Sequence, residues 1–224
     1  MRNALLIVPC LLVCVSADAR ADSIIVGYQD PGVFNFPNIA NPVGAYSPLG
    51  VIGSQNDRDA AQFTLSGSFD VSEIDVGLIS FFFNGPFNWS LQSGLTGSPT
   101  IFASGTALAT LTMTVSLPVN RILGPGTYYL LGGTTMSLSD VGWTLSDGVL
   151  TSNGGIGPNG YWHTVDGSNW FFNSSASTCT AISPCSSNTV TSLMYEVHGT
   201  AVPESGTAVL LIVGLAALVV SRRA

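Results

Sequence analysis

The stretch Thr110-Leu111-Thr112-Met113-Thr114-Val115-Ser116-Leu117 decides the fold class. Its period is two, so an extended chain puts Leu111, Met113, Val115 and Leu117 on one face and the hydroxyl side chains on the other. The same alternation recurs on both sides of it. Gln62-Phe63-Thr64-Leu65-Ser66 shows it upstream, and near the C-terminus Leu193, Tyr195 and Val197 oppose Met194, Glu196 and His198. Further strands are expected near Ile24–Val26, Val71–Ile79, Trp89–Gln92, Tyr128–Leu131, Val141–Leu145 and Tyr161–Thr164. Turn formers punctuate them: Asn84-Gly85-Pro86, Gly124-Pro125-Gly126, Asp147-Gly148, Asn153-Gly154-Gly155 and Asp166-Gly167. No stretch between 22 and 200 has the pattern of a long amphipathic helix. The expectation is an all-β fold, an antiparallel β-sandwich or jelly-roll-like domain over residues 22–200. Residues 28–56 are less regular, with Pro31, Pro37, Pro42 and Pro48, and read as an extended edge segment or a long wrapping loop.

Composition agrees with strands and turns. Charged residues are 8% of the 224, against roughly 25% in an ordinary soluble domain. There is no lysine, and four of the six arginines (Arg2, Arg20, Arg222, Arg223) lie near the termini. Between Asp22 and Pro203, Arg58 and Arg121 face eleven acids, a net charge of −9. Such a body has no basic face with which to release counterions from nucleic acid, so no nucleic-acid partner is expected. Serine and threonine supply 42 of residues 22–203 and offer sites for glycosylation. The numerous, periodic apolar residues set the chain apart from disordered sequences.

The two ends carry signals of their own. Residues 1–21 read as a signal peptide: Arg2 forms the positive n-region, Ala4 to Val15 the apolar h-region, and Ala17-Asp18-Ala19-Arg20-Ala21 the small-residue sites, with cleavage by signal peptidase expected after Ala21. The other end, 201–224, holds Val202-Pro203-Glu204-Ser205-Gly206, then apolar Thr207 through Val220, then Ser221-Arg222-Arg223-Ala224. As a helix, Gly206 to Val220 spans about 22 Å, short of a bilayer core of about 30 Å. Arg222 and Arg223 would stay on the cytoplasmic side. The segment suits a temporary stop in the inner membrane that is later cut.

On these residues the tail resembles the PEP-CTERM sorting signal of Gram-negative bacteria, which the membrane protease-transpeptidase exosortase recognises. Pro203 and Glu204 match its motif, Ser205 stands where a second proline is usual, and Leu210-Leu211, Leu215, Leu218 and Arg222-Arg223 fit the rest. The run Gln62 to Ala107 and the junction His198-Gly199-Thr200-Ala201-Val202-Pro203-Glu204 are also similar to β-sandwich domains common in that family. The resemblance implies export through the inner membrane to the cell surface or extracellular matrix, and a structural or adhesive role in an exopolysaccharide or biofilm setting.

Candidate chemistry is sparse. Cys179 and Cys185 remain after signal removal, and export through an oxidising compartment favours a local disulfide; so short a loop would contribute about 2 kcal/mol. A nucleophilic triad needs a histidine base beside a serine or cysteine. His163 and His198 have no nucleophile-elbow motif near them, so no catalytic residue is assigned and both read as surface or packing residues. Two histidines alone do not make a zinc site of nitrogen and sulfur ligands. The alternation around Glu73 and Asp75 reads as solvated strand-face charge. Asn56-Asp57-Arg58-Asp59 is expected on a loop whose Asp57 and Asp59 offer oxygens to Ca²⁺, with a solvated turn as the plainer reading. Trp162 and Trp170, with Phe171 and Phe172, are candidates for a sugar-binding platform, with core packing as the plainer reading. A carbohydrate-binding module predicts an exposed aromatic patch. A secreted hydrolase predicts a cleft with converging carboxylates.

Overall fold

The computed structural model describes residues 23–28, 46–52, 55–80, 85–109, 112–134, 141–146, 150–158, 160–173 and 192–203. Within them the chain forms fifteen strands: β1 (Ser23–Tyr28), β2 (Tyr46–Ile52), β3 (Gln55–Leu65), β4 (Phe69–Ser80), β5 (Gly85–Gln92), β6 (Ile101–Ala109), β7 (Thr112–Leu123), β8 (Gly126–Gly133), β9 (Val141–Ser146), β10 (Leu150–Ser152), β11 (Gly155–Ile156), β12 (Tyr161–Thr164), β13 (Phe171–Asn173), β14 (Ser192–Leu193) and β15 (Tyr195–Ala201). They make two antiparallel sheets in a sandwich. One runs β10-β1-β15-β4, with β7 beside β4; β9 takes over from β15 along Leu78–Ser80 of β4. The other runs β6-β5-β8-β3, with β11 and β12 also on β3 and β13 beyond β12. β2 joins the two: its residues Tyr46–Leu49 pair with β9, and Gly50–Ile52 pair with β3.

The all-β, sandwich-like expectation holds, and the alternation explains why. In β7, Leu117 is buried and Val115 packs on the core, while Thr114 and Ser116 face solvent. Thr110, Leu111 and the side chain of Met113 lie outside the described residues. Inward-facing Ala61, Phe63 and Leu65 of β3, Phe87, Trp89 and Leu91 of β5, and Tyr128 and Leu130 of β8 meet Val71, Ile74, Val76 and Leu78 of β4 and Tyr195 and Val197 of β15. Burying each such side chain stabilises by about 1.5–3 kcal/mol. Phe63 lies 5.7 Å from the Tyr128 ring beside it and 6.0 Å from Tyr195. Tyr195 also donates its hydroxyl to the Gln62 carbonyl at 3.1 Å, fastening one sheet to the other. Burial drives its phenol far above the ordinary tyrosine range.

Trp143 is the largest fully buried side chain. It stands edge-on to Phe87 at 5.5 Å and donates its indole N–H to the Met194 carbonyl at 2.9 Å. Gly132 makes room for this pair. A Cβ there would sit 2.8 Å from Trp143 Cζ3 and closer still to the Phe87 ring, nearer than packed carbons approach.

Of the residues read as an extended edge segment or a wrapping loop, 46–52 are extended, Tyr46–Leu49 pairing with β9 and Gly50–Ile52 with β3. Three local expectations need correction. Gly85 and Pro86, read as part of a turn, open β5; proline is tolerated at the start of a strand. Met194 is buried rather than on the polar face: the chain leaves β9 after Leu193 and joins β4 at Tyr195, and the Met194 backbone between them bonds to Thr144 and Gly77. The segment Asn56–Asp59 belongs to β3, which also sets the fate of its acids. The signal segment 1–21 and residues 204–224 lie outside the described residues. Among the described residues no helix is long and apolar enough to cross a membrane.

Candidate functional sites

Asp57 and Asp59, expected on a loop or solvated turn that could offer oxygens to Ca²⁺, lie instead on strand β3, where Asp57 pairs with β2 and Asp59 with both β8 and β12. Asp59 falls on the inward face two residues before Ala61 and is fully buried. Opposite it in register stands His163 of β12, whose Nδ1 lies 2.7 Å from Asp59 Oδ1. That hydrogen bond raises the imidazole pKa above its ordinary 6.5; burial opposes it, and the charges of Asp59 and Asp57 add to it. Asp57 has its own carboxyl pushed up by desolvation, with His163 pulling it back. Among the described residues no serine, threonine or cysteine hydrogen bond to the His163 ring is found beside its bond to Asp59.

The neighbouring hairpin carries the aromatic candidates. Asp166 builds its turn by accepting the backbone N–H groups of Ser168 and Asn169 at 2.8 and 2.7 Å and the Thr164 hydroxyl at 3.0 Å. These bonds hold its carboxyl well below the ordinary range. Trp162 lies 5.2 Å from Phe172 across the β12–β13 pair and donates its Nε1–H to Gln62 Oε1 at 2.9 Å. Phe171 is 64% exposed and Phe172 40%, so neither is core. Trp170 does not join them: it is half-buried, makes no ring contact, and its indole nitrogen is buried without a hydrogen bond.

The third constellation was missed in the sequence. On the outer face of the other sheet, Asp75 of β4 stands opposite Glu196 of β15, and Glu73 opposite His198. His198 Nε2 lies 3.3 Å from Glu196 Oε2 and 3.5 Å from Asp75 Oδ2. A β-bulge at Ser72 shifts the register just past His198, and the Ser72 hydroxyl donates to the His198 carbonyl at 3.2 Å. On β7 the matching irregularity puts Asn120 at φ 48°, a left-handed conformation that asparagine tolerates. Bulges of this kind re-aim side chains. Desolvation raises the Asp75 carboxyl above its ordinary range and nearby Glu73 adds to this, while His198 and Ser116 oppose it. Period two alone put Glu196 and His198 on one face; nothing in the sequence says that β4 lies beside them.

Of the remaining predicted residues, Val202 and Pro203 are described. Val202 donates its N–H to the Ser68 carbonyl at 2.9 Å, the last such tie among the described residues, and Pro203 is exposed. Ala21, Cys179, Cys185, Glu204, Ser205, Arg222 and Arg223 lie outside the described residues. No protein-family profile matches the chain, and no curated protein matches it.

Proposed function

We propose that this is an exported, non-catalytic protein of the bacterial cell surface or extracellular matrix, delivered there by exosortase acting on residues 201–224. One observation carries the reading: Val202-Pro203-Glu204-Ser205, a short apolar segment and Arg222-Arg223 follow directly on the last strand of a sandwich. In support, the described chain leaves its last hydrogen bond at Val202 and is exposed at Pro203, where a protease would need access. The signal segment ending at Ala21 supplies export, and Cys179 and Cys185 would close a disulfide after it. The crossing of β2 between the sheets favours a jelly-roll-like winding. The role is structural or adhesive in an exopolysaccharide or biofilm matrix.

Intact-mass analysis of protein from its host, with and without exosortase, tests this. The expected result is loss of residues 1–21 in both strains, and loss of the tail near Pro203–Ser205 only with the protease. Tail retention in both strains would overturn the sorting claim and leave a membrane-anchored protein.

A second reading, a carbohydrate-binding module, is favoured by the exposed Phe172 packed beside Trp162. Aromatic faces of this kind stack on sugar rings. A glycan panel bound equally by wild type and Phe172→Ala would dismiss it.

A further inference from the structure

We infer that Asp75, Glu196 and His198 form a binding site for a divalent cation of the zinc class, on the outer face of the β4–β15 pair. The inference is independent of the sorting tail. Two carboxylates and an imidazole offer donor atoms that all lie within 4.8 Å of one another. Their spacing is that of metal ligands and longer than that of a charge-assisted hydrogen bond. A charge-assisted hydrogen bond brings N and O to about 2.7–2.9 Å, as His163 and Asp59 do at 2.7 Å. His198 Nε2 stops 3.3 and 3.5 Å from its two carboxylates. Donors about 2.0–2.1 Å from a tetrahedral zinc ion lie roughly 3.4 Å from each other, which is this separation.

The unspent bonding capacity points the same way. Asp75 Oδ1, Glu196 Oε1 and His198 Nε2 are sealed from water and make no hydrogen bond. Buried polar atoms are nearly always partnered, and three such atoms in one cluster call for a missing partner. No arginine pairs with any of the three among the described residues, and the chain has no lysine. Glu73 beside them adds further negative charge, and Ser116 of β7 donates its hydroxyl to Glu73. The donor set selects the ion class. Ca²⁺ takes six to eight oxygens; an imidazole nitrogen with two carboxylates suits Zn²⁺ and its first-row neighbours, leaving a coordination position for water.

Calorimetry on EDTA-stripped protein, titrated with Zn²⁺, Mn²⁺ or Ca²⁺ alone, tests the site. Wild type is expected to bind one Zn²⁺ more tightly than Ca²⁺. His198→Ala and the shape-conserving Glu196→Gln should each weaken binding at least about tenfold, with the circular dichroism of the sandwich unchanged. His163→Gln, which keeps a hydrogen-bond donor for the buried Asp59 at the other histidine, should bind as wild type does. Absence of Zn²⁺ binding, a stronger response to Ca²⁺, or loss in folded His163→Gln with retention in His198→Ala would each overturn the assignment.

Discussion

The two histidines of the sandwich keep different company. His163 is bonded to one fully buried carboxylate at 2.7 Å, in register across a strand pair that ends the core. His198 stands between two partly exposed carboxylates and touches neither at hydrogen-bond distance with good geometry. The first arrangement closes its His–carboxylate contact at the distance of a charge-assisted hydrogen bond and serves the fold. The second is open and serves whatever fills it. Distance and direction, rather than residue type, separate a structural His–carboxylate pair from a binding site.

Breaking the first pair should have the larger effect. His163→Ala removes the partner of a buried carboxylate and is expected to lower stability by about 3–5 kcal/mol, read by denaturant unfolding. Its pH signature is next in size. Because the folded state raises the His163 pKa, the pair's contribution is complete below about pH 6.5 and fades as pH rises through the raised value. Wild-type melting temperature should therefore fall over that window, and His163→Gln should flatten the fall. The second cluster should respond least. Asp75→Asn without metal is expected to shift stability by at most about 1 kcal/mol, and in the stabilising direction. Its raised pKa means that the charged carboxylate costs stability above the ordinary carboxylate range, a cost that vanishes as pH drops below it. A large loss in Asp75→Asn would show that the cluster is a structural ion network and erase the contrast.

The sheets were legible where one face meets the core and the other meets solvent. Leu117 and Val115, Phe63 and Leu65, and Tyr195 and Val197 all follow period two and all pack inward. The signal failed where that condition lapses. β6 is an edge strand with most residues exposed, so it carries no alternation to read. Arg58 and its flanking acids have poor strand propensity, yet β8 and β12 clasp Arg58 and Asp59 from both edges and β2 pairs with Asp57. The His163–Asp59 contact depends on strands about a hundred residues apart, and the Asp75–Glu196–His198 cluster on strands more distant still. Register between such strands is set by packing, which no local pattern records. Of the aromatic group, Trp162 and Phe172 pack together across β12–β13, whereas Phe171, the next residue on the strand, alternates to the other side and Trp170 is half-buried; adjacency in the chain does not record these directions.

The path by which the chain leaves the sandwich has a mechanical consequence. β15 is held on one edge by β1 and on the other by β4, with Ala201 opposite Phe69 at its end. A pull applied at Pro203 runs along the strand axis, so the ladder bonds on both edges load together in shear instead of opening one at a time. The bulge at Ser72 interrupts that ladder beside His198 and Gly199. Force entering through the tail therefore meets a short outer clamp first and a longer inner one, Tyr195 to His198, behind it. A protein tethered by this end would hold its fold under tension until the inner clamp gives way.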